Sequence, residues 1–166
     1  KTDAPMKTLP HWLAALVFLL LPVAASAQQQ GLEIDIVGGN ASALPIAVVT
    51  MPYQGSGTAP DTDVAAVVRA DLERSGAFRS LPEASMVERP VRGSEVQYPT
   101  WRALKQDYLV VGRVVDATGG GFRVEYELFD VAKQERLLGE IKTARANAMR
   151  DVGHQMADAI YEKILG

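Results

Sequence analysis

Two histidines and no cysteine restrict the chemistry open to this 166-residue chain. His11 falls in an apolar leader, and His154 stands beside Arg150, Asp151, Asp158 and Tyr161 on the polar side of a helical stretch. A histidine near carboxylates can serve as a general base, but a base needs a nucleophile or substrate within hydrogen-bond reach, and the local spacing supplies neither. A surface or boundary histidine is the plainer reading. Zinc wants His and Cys ligands, so no metal site is expected. Asp61 with Asp63, Glu125 with Glu127, and Asp151 with Asp158 are carboxylate pairs of the kind that glycoside hydrolysis uses. Each also reads as a helix start or a solvated face, and none is assigned as catalytic. Gly55 to Pro60, between a strand and a helix, raises the dinucleotide-binding fingerprint. It fails there, because Pro60 occupies the place of the third glycine and no second parallel strand ends in an acidic residue about 20 positions on. No cofactor is expected.

The elements that would position these residues are legible from periodicity. Asp107–Val115 is apolar and β-branched without strict alternation, as in a strand covered on both faces. Phe122, Val124, Tyr126 and Leu128 alternate with Arg123, Glu125 and Glu127, and Leu137, Gly139, Ile141 and Thr143 mark a third strand of the same meander. Upstream, Pro45–Tyr53 predicts a buried strand ended by Pro52, and 61–75 predicts a helix with Val64, Val67, Val68 and Leu72 inward and Gly76 as its stop. A brief strand at 78–81 and a short helix opening at Tyr98 follow, with Trp101, Leu104 and Tyr98 facing inward. Trp101 and Tyr126 read as core aromatics. The last helix starts at Asn147 and turns Met149, Val152, Met156, Ala159, Ile160 and Ile164 to one side. The fold class is α/β: a mixed sheet of about five strands with packed helices in one domain.

Composition narrows the setting. After Met6 come Lys7, an apolar run from Trp12 to Leu21, and the small-x-small end Ala25, Ser26, Ala27, which together form a secretory signal cleaved between Ala27 and Gln28. Lys1 to Pro5 read as lying upstream of the true start. Pro22 and Gln28 to Gln30 end the run short of the roughly 20 residues a membrane helix needs. Removing residues 1–27 takes Lys1, Lys7 and Asp3 from 17 basic and 20 acidic side chains, leaving 15 and 19 and a net charge of −4. Nucleic acid is therefore an unsuitable partner. An exported chain without cysteine must be held by its core alone, which suits a bacterial periplasm.

Residues 28–44 read as an N-terminal interaction tail ahead of a domain at 45–166. Leu32, Ile34 and Ile36 alternate with Glu33 and Asp35, and Val37, Gly38, Gly39 and Asn40 follow. Ordering six such residues costs about 6–12 kcal/mol. Burying three aliphatic side chains returns about 1.5–3 kcal/mol each, and each backbone hydrogen bond adds about 1 kcal/mol. The terms nearly cancel, so the segment is either an ordinary first strand or one that can add to a partner's sheet edge.

Six stretches in order carry a family resemblance: Leu32–Ile36, Pro45–Val49, Asp71–Phe78, Asp107–Val114, Tyr126–Asp130 and His154–Glu162. Together they resemble the N-terminal domain of the TolB family, periplasmic proteins of the Tol-Pal cell-envelope system. The resemblance implies a non-enzymatic domain whose tail, here Leu32 to Ser42, binds the C-terminal domain of TolA. It also implies a following β-propeller that binds Pal. This chain stops at Gly166, where the linker to that propeller is expected, so Pal is a partner only where the propeller is present. Asp35 departs from the apolar residue the family carries there, leaving Leu32, Ile34 and Ile36 as the partner-facing side. Two alternatives stay open: a periplasmic ligand-binding or hydrolytic domain using Gly55 to Pro60, and a purely structural module that positions a C-terminal domain.

Overall fold

The computed structural model describes residues 42–166. Ile46, Ala47, Val48 and Val49 are each fully buried. Consecutive apolar residues with no exposed side call for a strand covered on both faces. They form and follow β1 (Leu44–Val48), which pairs in parallel with β2 (Phe78–Ser80) on one side and β3 (Tyr108–Asp116) on the other. β4 (Phe122–Asp130) and β5 (Glu135–Ala144) continue from β3 as an antiparallel meander, giving the order β2-β1-β3-β4-β5. This is the mixed five-stranded α/β architecture that the sequence predicts.

Parallel neighbours cannot be joined by a tight turn, so each parallel pair obliges a crossover. The first carries α1 (Val64–Arg74), and the connection from β2 to β3 carries α2 (Tyr98–Ala103). The sheet's two faces thereby acquire separate cores. Ile46, Val48, Val110, Val114, Val124, Tyr126 and Leu128 pack with α1 and with α3 (Met149–Leu165). Ala47, Val49, Leu109, Val111 and Phe129 pack with Trp101 of α2 on the other side. Trp101 is completely buried, and Tyr98 meets Phe129 edge to face at a centroid distance of 6.2 Å.

Three differences from the sequence reading have local reasons. β1 ends at Val48 rather than running to Tyr53, because Pro52 has no N–H to donate and Thr50 turns its hydroxyl to Glu83 at 2.8 Å. Tyr53 rejoins the sheet only as an isolated bridge to Val114. α1 starts at Val64, since Asp63 is its N-cap and accepts the Ala66 N–H at 3.0 Å. In β5 a register shift opposite Leu128 and Phe129 turns Ile141 out to 61% exposure, while Leu138 packs on the core.

Gly153 sets the distance between α3 and α1. A Cβ there would lie 2.7 Å from Val67 Cβ and Cγ1. Helix propensity alone favours Gly153→Ala by about 1 kcal/mol, but overpacking of this kind costs about 1–3 kcal/mol. The variant is expected to melt below the wild type by several degrees; a higher melting temperature would show that the helices part freely.

Candidate functional site

The crevice outside the carboxyl ends of parallel strands is where open α/β sheets bind ligands, so the ends of β1 and β3 come first. Asp116 closes β3 and faces the Gly55–Pro60 loop. Its Oδ1 accepts the Tyr53 hydroxyl at 2.5 Å, and its Oδ2 accepts the Ser56 N–H at 2.9 Å and the Ser56 hydroxyl at 3.1 Å. Tyr53 Oη in turn accepts the Gly57 N–H at 2.8 Å. These bonds, that from Tyr53 foremost and then that from the Ser56 N–H, hold the Asp116 carboxyl below the usual range, and the same contact with Asp116 raises the Tyr53 phenol. A Cβ at Gly55 would fall 2.3 Å from Tyr53 Oη and 2.5 Å from Asp116 Oδ1, so a larger residue there must displace this pair. The N–H groups of Ser56 and Gly57, the donors a phosphate would need, are thus engaged within the loop. Beside it lies an open depression of about 410 Å³ flanked by Thr58, Phe122 and Arg145.

Charged side chains also fill the end of β1. Arg69, on α1, donates to the Val48 carbonyl at 2.8 Å and pairs with Glu83 at 3.3 Å and Asp63 at 3.7 Å. Glu83 accepts from Thr50, and that bond first, with Arg69 and Arg89 behind it, keeps its carboxyl low. The guanidinium ties the first crossover helix to the strand it follows.

The carboxylate pairs resolve separately. Glu125 is gripped by Arg113 at 2.6 Å and Arg123 at 2.8 Å, and Arg113 above all lowers its carboxyl. Glu127 pairs with Arg136 at 2.9 Å and accepts the Gly93 N–H at 2.6 Å. Glycoside hydrolysis needs one carboxyl held protonated, and Glu125 is pushed the opposite way. Both line a hollow of about 350 Å³ on the α2 side of the sheet, with Arg113, Gly139 and Ile141. Asp61 is exposed ahead of α1, and Asp151 and Asp158 are exposed on α3. Tyr126, inward as expected, donates to Glu140 at 2.7 Å; burial first and then this carboxylate push its phenol far above the ordinary range. Among the described residues no three His, Cys, Asp or Glu side chains converge to hold a metal ion.

His154 is a boundary residue with an unexpected partner. Its Nδ1 meets Asp71 Oδ2 on α1, and Arg74 reaches the other oxygen of that carboxylate at 2.6 Å. The contact with His154, then that with Arg74, lowers the Asp71 carboxyl. The trio is an interhelix clasp.

The partner-binding positions expected at Leu32–Asn40, and the cleavage site at Ala27 and Gln28, lie outside the described residues. The described chain enters β1 at Leu44, whose N–H donates to the Ala77 carbonyl at 2.8 Å, while Asp107 N–H donates to the Pro45 carbonyl at 3.1 Å. That is the amino end of the parallel strands. The Gly55–Pro60 loop sits at the other end, about 26 Å along a nine-residue strand such as β3.

Fold and clusters together define a class: a mixed-sheet α/β domain in which the clustered ionisable groups of the described residues hold elements to one another. Comparison with known proteins narrows it. The TolB amino-terminal domain family matches residues 32–137, more than half of the sequence. A Tol-Pal system protein TolB of Xanthomonas oryzae pv. oryzae is 73% identical over 161 residues, covering 97% of this chain and 37% of that protein. One from Xanthomonas axonopodis pv. citri matches to the same extent. The crystal structure of TolB from Acinetobacter baumannii superposes with a TM-score of 0.63 at 32% identity, over 77% of this chain and 30% of that one. The chain belongs to the TolB amino-terminal domain family, and it spans a little over a third of the length of these relatives. None of the described helices is long and apolar enough to cross a membrane.

The clasp makes stability depend on pH in a definite sense. A carboxyl lowered by folding adds stability above its unfolded pKa of about 3.9 and loses it as pH falls through the lowered value. Asp71→Asn is therefore expected to melt below the wild type at neutral pH, with the gap closing on acidification. A gap that persists undiminished to about pH 2 would show that the carboxylate charge is not what the clasp uses.

Proposed function

We propose that this chain is a non-catalytic periplasmic component of the Tol-Pal system, in which residues Leu32–Asn40 bind the C-terminal domain of TolA. It thereby supports outer-membrane integrity and invagination during cell division. The observation that carries this reading is the family match itself, which begins at residue 32, within the tail, and runs on through the folded domain as far as residue 137. The 73% identity to proteins named for the Tol-Pal system supports the assignment across nearly the whole sequence.

The physical argument runs the same way. Leu32, Ile34 and Ile36 recur at two-residue spacing in the sequence, the pattern of a strand that adds to a receiving sheet. The described residues enter the domain at the amino end of β1, away from the Gly55–Pro60 loop. Contact with Pal belongs to a β-propeller in the part of the relatives' length that this chain does not cover.

The test is calorimetric titration of the TolA C-terminal domain into the chain with and without residues 28–40. Binding is expected in the first case and none in the second. Undiminished affinity after the deletion would overturn the reading, as would the absence of binding by the intact exported form.

A further inference from the structure

Among the described residues β5 is an outer strand, with β4 on its inner side and no described strand beyond it. Which of its backbone groups face outward follows from β3. Val114 donates its N–H to Pro52 O at 3.0 Å and accepts from Gln54 N at 2.7 Å, so both its groups point away from β4. Val110 likewise turns its carbonyl to Val49 N at 2.9 Å. Antiparallel pairs alternate between bonded and non-bonded, and Val114 and Val110 lie opposite Val124 and Leu128. The bonded pairs between β3 and β4 are therefore those of Glu125 and Glu127, and the backbones of Val124 and Tyr126 bond β5 instead. Val124 lies opposite Lys142 and Tyr126 opposite Glu140, which leaves Gly139, Ile141 and Thr143 with N–H and C=O directed outward.

The guards of β5 against pairing are a register irregularity near its start and the charges of Glu135, Arg136, Glu140 and Lys142, while from Gly139 to Thr143 its pairing with β4 is regular. It is ten residues long without proline, and Ile141, near its middle, is 61% exposed. Its charges have a local symmetry: Glu140 precedes Ile141 and Lys142 follows it, the two side chains meeting at 2.9 Å.

We propose that β5 pairs antiparallel with β5 of a second copy of this chain, about a two-fold axis at Ile141, joining the two five-stranded sheets into one. In that register each Ile141 exchanges both backbone hydrogen bonds with its counterpart, and the two exposed side chains cover one another. Glu140 of each copy stands opposite Lys142 of the other, so four charges alternate in sign. Gly139 faces Thr143. A register centred on Glu140 sets that carboxylate against itself, and one centred on Lys142 opposes two ammonium groups; cross-strand like charges disfavour both. A two-fold interface must be self-complementary, and the triplet around Ile141 is. The inference concerns a surface apart from the tail and does not depend on TolA binding.

Sedimentation equilibrium of the purified chain from micromolar to near-millimolar concentration tests it. The wild type is expected to reach a dimer. Ile141→Pro removes an outward N–H and no bond to β4, and it should weaken the dimer at least about tenfold, as should Glu140→Lys and Lys142→Glu by placing like charges opposite. Mixing the last two variants restores both ion pairs in a heterodimer of near wild-type affinity. Circular dichroism verifies that each variant is folded. A wild type that stays monomeric throughout, a dimer indifferent to Ile141→Pro, or charge variants that fail to associate on mixing would each overturn the proposal.

Discussion

Strand β1 is bonded in parallel on both sides: Leu44 and Ile46 are tied to Ala77 and Leu81 by bonds of 2.8 Å on one flank, and on the other Pro45 is tied to Asp107 at 3.1 Å and Val49, just past the strand's end, to Val110 at 2.9 Å. A strand so placed has no free edge, and its side chains alternate between two faces that must both be covered. Two crossovers result. One brings α1 to the face that α3 later shares; the other brings Trp101 and α2 to the opposite face. The small residues at the α1–α3 seam, Gly153 and Ala157, follow from the need to seat two helices on one five-stranded sheet.

Because β1, an interior strand, is also the first described strand, the two ends of the sheet take on different characters. At its carboxyl end Arg69, Glu83 and Thr50 close over Val48, and Asp116 gathers Tyr53, Ser56 and, through the phenol, Gly57. Side chains that could have met a ligand hold the loop and α1 in place. At its amino end the polypeptide arrives at Leu44 with the sheet pairing already satisfied on both flanks.

Much of this was readable from periodicity, because the features concerned are local. The doubly covered β3, the meander, the stripe of α1 with Gly76 in the left-handed region at φ 74°, and the inward aromatics Trp101 and Tyr126 all fall where hydrophobic spacing puts them. What spacing missed are contacts between distant residues. His154 lies near Asp151 and Asp158 on its own helix, yet its partner is Asp71, 83 positions away. Asp116 ends β3, and nothing in its sequence neighbourhood points to Ser56, 60 positions earlier. Strand β5 was found, but the face it shows was inverted by one irregularity in pairing, since a single-residue slip exchanges inside and outside. That slip is what leaves Ile141 in solvent.

The central claim is that the sheet around β1 is complete without the residues that precede it. Native-state amide exchange measures this directly: the amides of Val48, Val110 and Val111 should exchange equally slowly in the exported chain and in one that begins at Ser42. Markedly faster exchange of those amides in the shorter chain would contradict the account, because the preceding segment would then be part of the core and not available to a partner.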